Sequence, residues 1–264
     1  MHVDAAGVRH AVAPDARIVS LVPSITETLF ALGLGPSVIG RTGFCIHPQD
    51  AVQAVPKVGG TKDVNLKKLR ALRATHVIVN IDENDLPVVD AIREFVPHVI
   101  VTHPNAPQDN LALFRLLGAV FDANEPAEAM CAQLQHELDL CAARDWPPQR
   151  VLYLVWKDPW MTVAADTYIA RTLALVGGQV PHPPGGWSGA ARYPVVELDE
   201  WVPRVDRVLL SSEPYAFRQV DVQSLQTRWP DTWVELVDGE MMSWYGARAI
   251  EGLRWLRAFA TSGR

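Results

Sequence analysis

The chain has 264 residues, a net charge of −6 and only three cysteines. That length suits one large α/β domain or two lobes of roughly 100–130 residues each. Scattered Lys and Arg argue against nucleic acid, and no run approaches the ~18–20 apolar residues of a membrane span.

Cys131 and Cys141 fall on one predicted helix, about 15 Å apart, too far to bridge, so a reducing compartment is expected. The opening MHVDAAGVRHAVAPDA lacks the basic segment and apolar core of a secretory leader. A cytoplasmic location is expected as written, and a periplasmic one if a leader has been removed.

Residues 17–22 form a β-rich apolar run that Pro23 breaks. Ser24-Ile25-Thr26-Glu27 then matches a capping box, with Ser24 as N-cap and Glu27 at N3, and the helix runs to Leu32 before Gly33. Residues 38–40 read as a short strand leading into the loop 41–48. Asn65 caps a helix through Leu72, residues 76–79 are a buried strand, 88–95 a helix and 98–101 a strand. Asp109 caps a helix that Gly118 ends. Residues 125–144 then form one long helix, with Ala127, Met130, Leu134, Leu138 and Cys141 at spacings of three and four. Trp146-Pro147-Pro148 stops it. A strand over 150–155, a Trp-rich loop, a helix over 167–176 closed by Gly177-Gly178, and a strand over 208–210 follow.

The pattern restarts after the long helix. Arg17-Ile-Val-Ser-Leu-Val is echoed by Arg150-Val-Leu-Tyr-Leu-Val, and Ile92-Arg-Glu-Phe-Val-Pro97 by Leu225-Gln-Thr-Arg-Trp-Pro230. Two similar α/β lobes joined by the long helix account for the echo, as does a chance match of common αβ patterns. Two lobes sharing a cleft would set their strand-end loops face to face.

The richest segment is Val237-Asp238-Gly239-Glu240-Met241-Met242-Ser243-Trp244-Tyr245-Gly246-Ala247-Arg248, where an apolar run ends at an Asp-Gly turn. Ligands in open α/β sheets sit beyond the carboxyl ends of strands. Trp244 and Tyr245 offer flat apolar walls with a polar edge, and Arg248 a planar fork for anions. Trp156-Lys157-Asp158-Pro159-Trp160, Arg192-Tyr193-Pro194 and Glu213-Pro214-Tyr215-Ala216-Phe217 are further clusters at predicted strand ends, and Trp187 sits in a Gly-rich loop.

In the first half, Cys45 and His47 share one side of an extended loop, a spacing that suits a soft metal-ligand pair as well as a buried cysteine beside a hydrogen-bonded histidine. Glu83, Glu213 and Glu240 are candidates for a further ligand. Gly59-Gly60-Thr61-Lys62 lacks the spacing of a P-loop and reads as a turn that sets Lys62 at the cleft. Trp187-Ser188-Gly189 lacks the strand that a nucleophile elbow needs, so hydrolase chemistry is not expected.

Taken together, Arg17-Ile-Val-Ser-Leu-Val-Pro-Ser-Ile-Thr-Glu27, Phe44-Cys-Ile-His-Pro48, Val58-Gly-Gly-Thr-Lys62 and the stretch 66–80 resemble the class III substrate-binding proteins of ABC transporters. These helical-backbone metal receptors include vitamin B12-, siderophore- and haem-binding proteins. Residues 211–217 and 238–248 resemble a cobalamin-binding-like subgroup, and the likeness spans 17–260. It implies an α/β fold of two Rossmann-like lobes (17–122 and 147–264) joined by a long helix (123–146), with a ligand cleft between them. It also implies non-catalytic binding of a corrinoid, haem or iron chelate, no intrinsic cofactor, a monomer, and aromatic contacts from Phe44, Trp156, Trp160, Trp187, Tyr215, Trp244 and Tyr245. Lys62, Arg192 and Arg248 would hold anionic or amide groups at the rim, alongside Tyr193.

Family members dock on an ABC permease through one glutamate per lobe. The first-lobe position here is Lys67, in Asn65-Leu66-Lys67-Lys68, a reversed charge that repels a permease arginine. The second-lobe position retains Asp199 and Glu200. A different reading, a cytoplasmic enzyme or metal chaperone on the same scaffold, would use Cys45, His47, Glu213, Glu240 and Asp238.

Overall fold

The computed structural model describes residues 2–182 and 191–262. They divide into two units. The first runs to Pro104, resumes over Gln108–Gln135 and takes in Tyr245–Arg248; the second holds Asn105–Pro107, His136–Trp244 and the chain from Ala249 onward.

The first unit opens with a small antiparallel hairpin, β1 (His2–Val3) and β2 (Arg9–His10). Asp4 organises it. One carboxylate oxygen accepts from the backbone N–H groups of Ala6 and Val8, and the other accepts from Val101 N and meets His10 Nε2 at 3.0 Å. The sheet follows: β3 (Ile18–Ser20), β4 (Val38–Arg41), β5 (His76–Asn80) and β6 (His98–Thr102), all parallel, in the order β4-β3-β5-β6.

Helices α1 (Pro23–Ala31), α2 (Gln49–Val52), α3 (Leu66–Ala71) and α4 (Leu86–Arg93) connect these strands. All five β5 residues are buried, as expected when helices cover both faces of a parallel sheet. Val19, Val77, Val79, Val99 and Val101 meet Leu69 and Ile92 in one core. The order places the reversal of winding between β3 and β5, where doubly wound sheets open a crevice.

Helix α5 (Asn110–Val120) leads to α6 (Asn124–Ala142), whose residues to Gln135 belong to the first unit and the remainder to the second. The second sheet has the order β11-β10-β7-β8. β7 (Gln149–Trp156) pairs antiparallel with β8 (Met161–Thr162) and in parallel with β9 (Gly178–Gln179) and β10 (Arg207–Ser211), which pairs with β11 (Trp233–Val237). Helices α7 (Tyr168–Ala174), α8 (Leu198–Trp201), α9 (Gln219–Arg228), α10 (Gly239–Ser243) and α11 (Arg248–Ser262) complete the described elements. Leu152, Leu154, Val208, Leu210 and Val234 pack with Trp201, Phe217 and Leu225.

Three local expectations are corrected. Helix α1 starts two residues early, at Pro23 with Val22 as N-cap and no side-chain cap. Proline supplies the first-turn φ and needs no N–H partner there, which leaves Glu27 available for an ion pair described below. Gly118 does not stop α5, which continues to Val120. A Cβ on Gly118 would lie 2.5 Å from Ala127 Cβ, so this glycine permits close packing of α5 on α6. Asp238-Gly239 is not a turn but a helix start, where Asp238 Oδ1 accepts from Met241 N. The cap at Asn65 matches the sequence reading, its side chain accepting a first-turn N–H, and Thr167, read as the first residue of its helix, caps α7 in the same way.

Candidate functional site

In the first unit three loops meet at the carboxyl ends of the strands, and polar groups tie them together. Gly43 N donates to Gly59 O at 2.7 Å, joining the loop after β4 to the Gly-Gly loop. Asn84 Oδ1 accepts from Asn80 N at 2.8 Å, and its Nδ2 donates to Thr61 O at 2.8 Å and to Leu21 O at 3.4 Å. One amide side chain thus pins the loop after β5 to both neighbours. The signal for it was the pair Asn80 and Asn84 directly after a buried strand, and Asn84 was not singled out from the sequence.

On this scaffold Phe44 is 62% exposed, and Ile46, Ile81 and Leu86 are exposed too. The Phe44 ring lies 3.4 Å from where a Cβ on Gly60 would stand, so it rests on the Gly-Gly loop. Lys62 is exposed on the same loop.

Cys45 and His47 do not share a face. The Cys45 thiol is fully buried and sits 3.1 Å from both Thr26 Oγ1 and Thr42 Oγ1. Burial pushes it above the ordinary thiol range, with the threonine hydrogen bonds opposing. The physical reason is a turn, closed by Cys45 N on Thr42 O, that folds the sulfur inward. His47 is half-buried. Among the described residues no three His, Cys, Asp or Glu side chains gather as a metal site.

Tyr245, Gly246 and Arg248 were expected at a strand end of the second lobe, and they pack in the first unit instead. Tyr245 is 7% exposed and donates its hydroxyl to Glu83 Oε1 at 2.6 Å. Burial first, then the Glu83 charge, holds its phenol well above the usual range. Gly246 N donates to Asn110 Oδ1 and Ala247 N to Thr28 Oγ1. Arg248 binds Glu27 through both ends of its fork, at 3.0 and 2.6 Å, so that fork serves the fold rather than an anion.

In the second unit rings dominate. Trp156 is 41% exposed at the end of β7 and meets Tyr215 edge-on at 5.7 Å. Tyr215 packs on Phe217 at 4.7 Å, and Phe217 stacks on Trp160 at 5.8 Å with planes 3° apart. Lys157 lies 5.7 Å over the Trp160 ring and pairs with Asp221 at 2.8 Å. Phe217, quoted in the motif but not proposed for the site, is the buried ring on which the other two rest.

Glu213 accepts from Ser243 Oγ at 2.9 Å and from Trp244 Nε1 at 2.7 Å. Burial raises its carboxyl above the usual range, the two hydrogen bonds opposing and the charges of Glu240 and Asp238 adding. Trp244 itself is 9% exposed, a buried wall rather than a free ring face. Glu240 lies half-buried in α10. Arg192 donates to Asn105 Oδ1 at 2.6 Å and pairs with Asp166 at 3.2 Å, next to Tyr193, which is 39% exposed. Trp187 lies outside the described residues.

Lys67 and Lys68 are exposed on α3. Asp199 and Glu200, the second-lobe docking candidates, are paired with Arg228 at 2.6 Å and Arg204 at 3.5 Å. No described helix is long and apolar enough to cross a membrane.

Comparison with known proteins agrees with this architecture. The family model described as periplasmic binding protein matches residues 18–190. A vitamin B12-binding protein of Vibrio parahaemolyticus is 23% identical over 201 residues, covering 75% of this chain and 71% of its own. Among solved structures, the periplasmic vitamin B12-binding protein BtuF of Vibrio cholerae superposes with a TM-score of 0.76 at 16% identity, covering 94% of this chain and 98% of its own. The apo form of the periplasmic heme-binding protein RhuT from Roseiflexus sp. RS-1 gives 0.76 at 22%, covering 95% and 100%. All of these are binding proteins, and none supports the enzyme alternative. The matched segment takes in the whole first sheet and β7 to β9 of the second, and the chain belongs to the periplasmic binding protein family.

Proposed function

We propose that this protein binds a corrinoid or another metal-chelate ligand without catalysis, as the substrate-binding component of an ABC-type transporter. The observation that carries the reading is the chemistry of the strand-end loops: exposed aromatic and aliphatic side chains held on loops that hydrogen bonds or stacked rings keep in place. Flat apolar faces suit a macrocycle, and preformed walls lower the ordering cost of binding. The relatives named for vitamin B12 and heme support the ligand class.

Phe44 and Lys62 of the first unit, and Trp156, Trp160, Tyr193, Tyr215 and Arg192 of the second, are the proposed contacts. Tyr245 bonded to Glu83, Arg248 bonded to Glu27 and Trp244 bonded to Glu213 are structural in this reading rather than ligand contacts. The protein needs no cofactor of its own in this reading, and the metal arrives with the ligand. Lys67 would repel a permease arginine at the first-unit contact and weakens that part of the reading, while Asp199 and Glu200, each paired with an arginine, are the acidic groups offered for the second.

Native mass spectrometry and visible absorbance with cobalamin, cobinamide and haem test the proposal. A retained mass and a shifted spectrum with at least one of them are expected. No retained mass and no spectral change with any would overturn it.

A further inference from the structure

Charge at the carboxyl ends of the second sheet is unevenly matched. Strands β7, β10 and β11 are neighbours in register, with Leu154 beside Leu210 and Ser211 beside Val237. Continued along the strands, that register sets Trp156 and Asp238 level with each other, two strands and so about 10 Å apart. Glu213 stands on the loop after the strand between them.

Three cations lie by these loops, and each already faces a carboxylate. Lys157 pairs with Asp221 at 2.8 Å and has Asp158 near it, Arg218 adds its charge to Asp221, and Arg192 pairs with Asp166 at 3.2 Å. Glu213 and Asp238 are held differently. Glu213 Oε1 accepts from Ser243 and Trp244, and Asp238 Oδ1 accepts from Met241 N. Neutral donors orient a carboxylate without cancelling its charge. Burial raises both Glu213 and Tyr153 above their ordinary ranges, and the neighbouring charges that add to the rise are all negative: Glu240 and Asp238 at Glu213, and Glu213 and Asp238 at Tyr153. In the first unit Glu83 and Asp82 act on the buried Tyr245 in the same sense, against the exposed Lys62 of the Gly-Gly loop.

The rings add a second, independent sign of the same preference. Trp146, Trp160, Trp201, Trp229 and Trp233 each carry a lysine or arginine over the ring. Trp156 carries none among the described residues, although it is 41% exposed at the end of β7. An indole face attracts a cation through its quadrupole, and carboxylates attract it through charge.

We propose, on the binding function argued above, that the strand-end surface of the second unit selects a flat metal chelate with positive charge at its edge over one edged with carboxylates or other anions. Trp156 supplies the open ring face. Glu213, Asp238 and Glu240 act through their charge, and the cations nearby are already matched by Asp221, Asp158 and Asp166.

Two zinc porphyrins with one ring and opposite edges test this on the full chain: the tetrakis(N-methylpyridinium) cation and the tetrakis(sulfonatophenyl) anion, titrated by visible absorbance and tryptophan fluorescence. The cation is expected to bind about tenfold tighter at about 50 mM salt, and the preference to shrink as salt rises. Glu213→Gln with Asp238→Asn removes two charges while each new amide oxygen can accept the same hydrogen bonds, and should cut the preference about three- to tenfold. Asp145→Asn with Asp231→Asn changes the net charge equally at exposed positions before β7 and β11, the opposite end of the sheet, and should leave the preference within about twofold. Trp156→Leu, at an exposed side chain, should weaken the cation about fivefold and the anion less. Equal or tighter binding of the anion would overturn the proposal and leave the binding function standing. So would a control pair that lowers the preference as much as the strand-end pair. Binding of neither porphyrin would overturn it as well, and retention of cobalamin, cobinamide or haem would then show that the binding function survives.

Discussion

The strand-end loops of the first unit and those of the second reach the same end, fixed walls, by different chemistry. In the first, amide and backbone groups centred on Asn84 tie the loops, and apolar side chains such as Phe44 stand out from them. In the second, Trp156, Tyr215, Phe217 and Trp160 form a ring cluster that is both the support and the exposed surface. Directional hydrogen bonds fix a backbone and leave side chains replaceable, whereas stacked rings merge fold and surface in the same atoms. The first arrangement predicts that binding and stability separate under mutation; the second predicts that they fall together.

Phe217→Ala should have the largest effect, lowering stability by about 3–4 kcal/mol, because it empties a buried ring site. Denaturant unfolding measures this, and ligand binding should fall with it. Asn84→Ala follows at about 2–3 kcal/mol, since it leaves three backbone partners unsatisfied at once. Retention of wild-type stability in that variant would break the comparison.

Acid should divide the units by sign. Burial, then the neighbouring charges of His98 and His10, lowers the His76 pKa to about 4. A histidine with a depressed folded value contributes stability above its unfolded value near 6.5 and loses it as pH falls toward about 4. A loss of about 2 kcal/mol is expected over that window. Glu213 runs the other way. Its raised folded value means the carboxyl favours folding most when protonated, and that contribution fades as pH rises through its folded pKa. Hydrogen exchange from pH 7 to 4.5 should therefore show β5 and β6 loosening while α10 tightens. His76→Phe should abolish the first response and Glu213→Gln the second.

Phe44→Ala is the smallest change in stability, within about 0.5 kcal/mol for so exposed a side chain. It should nonetheless weaken whichever chelate the protein retains by about tenfold, for loss of one ring face. A large drop in melting temperature would show that Phe44 supports its loop and would erase the contrast between the units.

The strands and α6 were legible because buried parallel strands and a long helix impose short-range patterns. The 76–79 run became β5, buried throughout and one residue longer, and the 150–155 run became β7. Exposure was not legible. Trp244 and Tyr245 look like Trp156 in composition, but their polar edges find Glu213 and Glu83, and such partners lie 31 and 162 residues away. Arg248 met Glu27 across 221 residues, where no local spacing rule operates. The inward turn of Cys45 depended on two threonine hydroxyls, one of them on helix α1. Local signals also failed where packing overrode them, as Gly118 shows on α5.

The return of Tyr245–Arg248 to the first unit, late in the chain, bears on how relatives can be recombined. A chimera spliced once within α6 would inherit Glu27, Glu83 and Asn110 from one parent and their partners from the other. Exchange of whole units between homologues therefore needs three joints or more, with residues 245–248 travelling alongside the amino-terminal half.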